Sequence, residues 1–186
     1  MIIEKLKCVF IHIPKTGGTS VEESLKFLIP PSGRHMFAKV AKGILKEEWN
    51  TYYKWTIVRN TFDRLVSLYF FCKKLESENA HNENFNYWLE KILNKGHCRD
   101  LPISQLEWLE TDGKIEIDFV GKFESLDCDF KKVVNLFKVE AKLLHLNATC
   151  HSHYSNYYNR KLINVVYKFL GPEIEYFNYH FNLKVI

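Results

Sequence analysis

The sequence predicts an α/β fold, a three-layer sandwich in which helices cover a central, mainly parallel β-sheet. Residues 7–13 form an apolar, β-branched run that leads into a Gly17-Gly18 turn and the start of a helix. A second apolar run at residues 54–58 leads directly into a helical pattern at residues 61–74, and the same order repeats at residues 115–137. Strands that alternate with helices in this way are typical of a parallel sheet covered by its crossover helices.

The composition is that of one globular domain spanning residues 1–186. Hydrophobic residues make up 46% and charged residues 26% of the chain, which is enough apolar material for a sizeable core. The net charge of +4 suits an anionic ligand but is too small to indicate a nucleic-acid partner. No apolar run is long enough to span a bilayer, and the first strand begins almost at the N-terminus. We therefore expect no transmembrane segment and a cytoplasmic location.

The cysteines predict reduced thiols. Their number is odd, they are scattered along the chain, and no Cys-x-x-Cys pair occurs: Cys8, Cys72, Cys98, Cys128 and Cys150. This pattern favours buried thiols in a reducing compartment over a disulfide framework or a zinc site.

Periodicity and capping residues predict the individual elements. We expect strands at residues 7–13, 54–58, 115–123 and 143–146, and helices at residues 19–28, 37–45, 61–74, 85–93, 103–109, 126–137, 161–170 and 173–177. Asn60 or Thr61 caps the third helix, and Ser125 caps the helix that follows the third strand. Gly96 ends one helix and Gly171-Pro172 another. We expect polar loops at residues 76–84 and 147–158.

The first candidate site is the turn after the first strand. A strand, a glycine turn and a helix N-terminus together bind phosphate, because backbone N–H groups and the helix dipole face the anion. The turn adds one full positive charge, three hydroxyl donors and two glycines: Lys15, Thr16, Gly17, Gly18, Thr19 and Ser20. Lys15 precedes the glycines, whereas in the GxxxxGK[ST] nucleotide loop the lysine follows them.

The second candidate site follows the second strand. Arg59 lies at its carboxyl end, where ligands bind in parallel sheets, and its guanidinium can hold a phosphate by two hydrogen bonds. Ser67 lies two turns into the next helix, on the side that faces Arg59. The alternative is structural: Arg59 pairs with Asp63 or Glu124, and Ser67 only packs against the sheet. Two phosphate sites at neighbouring strand ends suit a ligand with two separated phosphate groups.

The two segments together resemble the carbohydrate-type, family-2-like branch of the sulfotransferases that use 3′-phosphoadenosine 5′-phosphosulfate (PAPS). Residues 14–20 (PKTGGTS) are similar to that family's 5′-phosphosulfate loop, and residues 59–67 (RNTFDRLVS) to its 3′-phosphate motif. The resemblance implies a P-loop nucleoside-triphosphate-hydrolase-like fold, PAPS as cofactor with 3′-phosphoadenosine 5′-phosphate (PAP) as product, and no metal. It also implies an acceptor hydroxyl, on a carbohydrate. Thr61 stands where the family usually has proline.

The same resemblance implies the catalytic groups. Lys15 stabilises the charge on the leaving oxygen, and the acceptor hydroxyl needs a general base near neutral pKa, for which we nominate His35. Glu47 or Glu48 is the fallback. We expect His12 to pack and hydrogen-bond within the first strand, and Arg64 to be solvated or salt-bridged.

Two other functions remain open from the sequence. A small P-loop kinase acting on a nucleotide or metabolite needs a lysine after the glycines and a magnesium-binding carboxylate at a strand end, for which Asp118 is weak support. A non-catalytic nucleotide-binding module would keep the anion sites and lack a working base. The role of His35 therefore distinguishes the enzyme from such a module. The sequence leaves the acceptor and the oligomeric state open.

Overall fold

The computed structural model describes residues 1–28, 35–75, 83–146 and 151–183. The strands are β1 Ile2–Ile3, β2 Cys8–Ile11, β3 Tyr53–Val58, β4 His97–Cys98, β5 Leu101–Pro102, β6 Glu110–Thr111, β7 Lys114–Ile115 and β8 Phe119–Lys122. The α-helices are α1 Gly18–Leu25, α2 Ala38–Leu45, α3 Thr61–Leu75, α4 Phe85–Lys95, α5 Leu106–Leu109, α6 Leu126–Leu136 and α7 Arg160–Tyr176. Short 3₁₀ helices span Glu4–Leu6, Lys26–Leu28, Lys46–Thr51, Phe123–Ser125 and Tyr154–Tyr157. Most of the expected loop at 76–84, and residues 147–150 of the second expected loop, lie outside the described residues.

The chain divides into two compact units. The sheet unit comprises Met1–Arg59 and Gln105–Ala148, and the helical unit comprises Asn60–Ser104 and Thr149–Ile186. The expectation of one domain over residues 1–186 stays a prediction.

The sheet unit is built on four strands in the order β1-β2-β3-β8. Strand β1 is antiparallel to β2, whereas β2, β3 and β8 are parallel, with Phe10 opposite Trp55 and Thr56 opposite Val120. All four residues of β2 are buried, as expected for an apolar strand in the middle of a parallel sheet. The predicted α/β class with a mainly parallel sheet is confirmed.

Helices α1 and α6 cover a core on this sheet. Val21 of α1 and Phe130 of α6 belong to the same buried cluster as Phe10 and Trp55. Each of these side chains is at most 2% exposed, so each contributes about 1.5–3 kcal/mol of hydrophobic free energy.

Two strand predictions are wrong. Residues 143–146 form no strand, because their amides bond to helix α1: the N–H of Leu144 donates to Ser24 Oγ (2.9 Å) and that of Leu146 to Ser20 Oγ (3.1 Å). Of the strand expected at residues 115–123, only Phe119–Lys122 forms the parallel strand β8. Ile115 instead belongs to β7, which pairs with β6 in a hairpin that turns at Gly113 (φ 75°).

The helical unit contains α3, α4, α7 and the β4–β5 hairpin. Asn60 caps α3, since its Oδ1 accepts a hydrogen bond from the N–H of Phe62 (3.0 Å), and Gly96 ends α4 in the left-handed conformation as expected. The two expected C-terminal helices lie within α7 and are separated by a kink at Leu170, whose φ and ψ are non-helical, two residues before Pro172. Within the described ranges, no helix is both long and apolar enough to cross a membrane.

Candidate active site

The glycine turn between β2 and α1 has a backbone shaped for an anion. Strand β2 ends at Ile11 and helix α1 begins at Gly18. Between them Lys15 (φ 71°) and Gly17 (φ 85°) both adopt left-handed conformations. Such alternation directs successive N–H groups into one concavity, and the first N–H groups of α1 have no partner within the helix.

Both glycines of the turn are required by close packing. A Cβ on Gly17 would lie 2.8 Å from Leu126 Cδ2 and 3.2 Å from the Phe123 ring. A Cβ on Gly18 would lie 2.0 Å from the His12 imidazole. His12 therefore occupies the space that a side chain at the start of α1 would need.

The hydroxyl groups of the turn have structural partners. Thr16 is fully buried and its Oγ1 donates to the Ile13 carbonyl (2.8 Å), which closes the turn. The Oγ of Ser20 accepts from the Leu146 amide (3.1 Å), whereas its own proton can still be donated elsewhere. Thr19 is half-buried. The donor roles predicted for these hydroxyls stay predictions, and the hydroxyl of Thr16 serves the turn itself.

Arg59 lies against the same turn. Its guanidinium stacks on the Phe123 ring, 4.0 Å from the centroid, and Nη1 donates to the Lys15 carbonyl (3.2 Å). The residue is only 7% exposed. Because Phe123 also contacts Gly17, one aromatic ring supports both the turn and the arginine. The sheet unit thus brings Arg59 to Lys15, as expected of two neighbouring strand ends.

Sequence reasoning missed Gln105, which holds the backbone of Arg59. The Arg59 N–H donates to Gln105 Oε1 (3.0 Å), and Gln105 Nε2 donates to the Arg59 carbonyl (3.0 Å). Gln105 is fully buried. This reciprocal pair fixes the end of β3 where the sheet hydrogen bonds stop. No local pattern in the sequence marks a glutamine 46 residues away as the partner.

Ser67 and Arg64 belong to helix α3 of the helical unit. Ser67 is fully buried, and its phosphate role stays a prediction. Arg64 is 1% exposed and its Nη1 donates to the Ile103 carbonyl (2.6 Å). Solvation, one of the two alternatives expected for Arg64, is therefore wrong, because the side chain is buried and hydrogen-bonded to a backbone carbonyl inside the helical unit. The salt-bridged alternative stays a prediction.

His35 packs on a second histidine beside the turn. Its imidazole is 4.2 Å from that of His12, and its Nδ1 lies 3.3 Å from the His12 carbonyl. A carbonyl only accepts, so this contact places the proton on Nδ1 and leaves Nε2 as the basic nitrogen. His35 is exposed to solvent. The next residues are held by Phe37, whose ring stacks on Trp108 at 4.2 Å.

His12 is buried and paired with a carboxylate. Its Nδ1 lies 2.8 Å from Glu22 Oε1 of helix α1, which confirms the expected packing and hydrogen bonding. Partial burial favours the protonated carboxyl, but the hydrogen bond and charge of His12 outweigh it and lower the pKa of Glu22. Glu22 is therefore an anion at neutral pH, and it fixes the ring on which His35 rests.

The residues named for other functions have other partners. Asp118 Oδ2 accepts from the Lys54 N–H (2.7 Å) and pairs with Lys54 Nζ (3.2 Å), so it joins β3 to the start of β8. Glu47 and Glu48 are exposed. Across residues 1–28, 35–75, 83–146 and 151–183, no three His, Cys, Asp or Glu side chains are grouped to hold a metal ion.

The turn suits the phosphosulfate end of PAPS. Close packing at positions 17 and 18 holds the turn in shape, and the buried Arg59 donates to the Lys15 carbonyl beside it. The donor set is cationic and made of N–H groups, which is the chemistry that binds phosphate and sulfate esters.

Comparison with family models identifies one family. The profile of a family described as "Sulfotransferase family" matches residues 1–180. A solved structure, mouse sulfotransferase SULT7A1 complexed with PAP, superimposes with a TM-score of 0.61 over 94% of this chain and 89% of that chain, at 14% identity. At that identity the similarity shows a shared fold. No curated protein sequence matches significantly.

Proposed function

Because the chain belongs to the sulfotransferase family, we propose that it transfers the sulfuryl group of PAPS to a carbohydrate hydroxyl, with the turn at residues 15–20 as the cofactor site and His35 as the base. The family match confirms the resemblance carried by residues 14–20 and 59–67, and with it the enzyme class. One observation supports the site assignment: the Arg59 guanidinium contacts both the Lys15 carbonyl and the Phe123 ring beside the left-handed glycine turn.

Lys15 and the turn bind and activate the donor end. PAPS supplies a sulfuryl group on a phosphate oxygen that becomes an anion when the group leaves. Lys15 and the N–H groups of residues 17–19 stabilise that negative charge, and because the turn is already formed they need no reorganisation. No metal is required for this stabilisation.

Arg59 supplies the second cationic contact, to the 3′-phosphate. Burial, the Phe123 stack and the Gln105 pair hold it in one orientation before ligand binds. A charge held in place loses less entropy on binding than a flexible surface arginine. We propose that Ser67 contributes a hydroxyl to the same phosphate. That assignment rests on the sequence resemblance alone.

His35 accepts the proton of the attacking hydroxyl. Its Nε2 is the basic nitrogen, because Nδ1 faces the His12 carbonyl. The His12 ring supports it from one side, and Glu22 holds His12. Removing the proton as the new sulfur–oxygen bond forms avoids a positively charged acceptor oxygen.

We propose that the acceptor is a carbohydrate. Its support is the pattern of residues 14–20, which is the one found in carbohydrate-type sulfotransferases. The exposed position of His35 is consistent with a bulky acceptor that approaches from solvent.

Transfer of radiolabel from PAPS to a panel of glycans, glycolipids and small alcohols tests the proposal. We expect label on at least one carbohydrate without magnesium. We expect His35→Ala to lower the rate by about 10²–10⁴-fold. The control is His145→Ala, which removes an exposed histidine that faces Asp127, and should leave the rate unchanged. Equal rates for His35→Ala and wild type would exclude His35 as base, and label only on non-carbohydrate acceptors would refute the acceptor class.

A further inference from the structure

Two cysteines of the helical unit are adjacent in space. Cys72 of α3 and Cys98 of β4 are 26 residues apart in sequence, and their Sγ atoms lie 3.4 Å apart. The two sulfur atoms are therefore in contact. Cys72 is 1% exposed, whereas Cys98 is partly exposed, so solvent reaches the pair through Cys98.

The pair lines a cavity with a basic wall. The cavity has a volume of about 130 Å³ and opens to solvent; its lining includes both thiols. Lys95, His97 and Arg99 line it as well. Lys91 also lines it and pairs with Glu83 (2.8 Å), so its charge is balanced. Lys95 and Arg99 carry positive charges, so their side of the cavity attracts anions rather than cations.

The other described thiols lack this setting. Burial raises the pKa of Cys8 to about 12, which keeps it a thiol at neutral pH. Cys128 is exposed on helix α6 of the sheet unit. Cys150 lies outside the described residues. The pair at 72 and 98 is thus distinguished by a thiol neighbour and by its basic cavity.

We propose that Cys72 and Cys98 form a redox-active dithiol site that reacts with small anionic disulfides. The sulfur of Cys98 attacks one sulfur of the small disulfide. The new S–S bond forms, the old one breaks, and the first small thiol leaves with the proton of Cys98. The sulfur of Cys72 then attacks that of Cys98, and the second small thiol leaves with the proton of Cys72. Two protein thiols are oxidised, and one disulfide is reduced to two thiols.

The basic wall sets the preference among disulfides. Carboxylates on the small disulfide are held by Lys95 and Arg99 while its sulfur reaches Cys98. A neutral disulfide lacks this attraction, and salt screens it for an anionic one. The site is independent of the sulfuryl-transfer chemistry and needs no PAPS.

Peptide mapping of the native full-length protein after treatment with oxidised glutathione tests the site. We expect a peptide crosslinked through Cys72 and Cys98, with neither of these two thiols left titratable. Cys72→Ser should stop at a mixed disulfide on Cys98, and Cys98→Ser should leave Cys72 unmodified. Cys128→Ser is the matched control and should still form the crosslink.

The choice of disulfide tests the basic wall. Reaction with uncharged hydroxyethyl disulfide should be several-fold slower, and the double variant Lys95→Gln/Arg99→Gln should abolish that difference. Persistence of both thiols in the wild-type protein, while Cys128 is modified, would overturn the proposal without recourse to any variant. Equal rates with both disulfides would overturn its ligand class.

Discussion

At the scale of residues, Gly18 and His12 define the candidate site through one contact. The imidazole lies where a Cβ of residue 18 would be, and Glu22 holds it there. The sequence predicts both the glycine turn and a packed His12. It does not predict that the two touch, or that His35 rests on the same ring, because these contacts depend on how β2, α1 and residue 35 meet in space. Gln105 was missed for the same reason.

Gly18→Ala is therefore expected to damage the site. The methyl group must displace the His12 ring or the start of α1, at a cost of about 1–3 kcal/mol in stability, and PAP affinity should fall with it. Gly43→Ala is the matched control: nothing lies within 4 Å of a Cβ there, and alanine favours helix α2. Thermal melts and PAP titrations of both variants measure the difference. A Gly18→Ala protein as stable as Gly43→Ala would contradict the packing described.

At the scale of elements, helix α3 shows what replaces the proline usual in the family. Asn60 caps the helix, and Thr61 Oγ1 donates to Glu173 Oε1 (2.6 Å) of α7, a carboxylate only 1% exposed. The sequence predicts the helix and its cap from local residues. It cannot predict the link to α7, which is 112 residues away. The threonine thus exchanges the rigidity of proline for a hydrogen bond between two helices.

Thr61→Val should destabilise the protein by about 1–3 kcal/mol, because the side-chain shape is kept while the buried Glu173 carboxylate loses the hydrogen bond from Thr61. Thr51→Val removes an exposed hydroxyl that donates to the Glu48 carbonyl, and serves as the control with little expected change. Urea unfolding at neutral pH gives both values. Equal midpoints for the two variants would show that the bond to Glu173 does not stabilise the fold.

At the scale of the whole molecule, regular elements are predicted better than their connections. The strand–turn–helix patterns at β2–α1 and β3–α3 are apparent because periodicity and caps are local. Residues 143–146 have an equally strand-like sequence, but two of their backbone N–H groups donate hydrogen bonds to serine hydroxyls of α1 instead of to a neighbouring strand. One connection in the sheet unit is electrostatic: Glu116 accepts from Lys42 (2.8 Å), Trp49 (3.0 Å) and Thr111 (2.6 Å).

This network makes the folding stability depend on pH in the acid range. The hydrogen bond from Lys42, followed by that from Thr111, lowers the pKa of Glu116 from 4.5 to about 2. A carboxyl whose pKa is lower in the folded state stabilises the fold above its unfolded pKa, and that stability is lost as pH falls from about 4.5 towards 2. Glu116→Gln should flatten the thermal stability profile over this range, whereas the exposed Glu47→Gln should not. Parallel profiles for Glu116→Gln and wild type would refute the role of the network.

We propose that the turn at residues 15–20, together with Arg59, binds PAPS without a metal ion. Calorimetric titration with PAP in the presence of a metal chelator tests it most directly. We expect one binding site per chain, with affinity weakened by about 1.5–3 kcal/mol in each of Lys15→Ala and Arg59→Ala, and weakened also in Ser67→Ala. ATP should bind poorly under the same conditions. Magnesium-dependent binding of ATP, with no heat from PAP, would contradict the account.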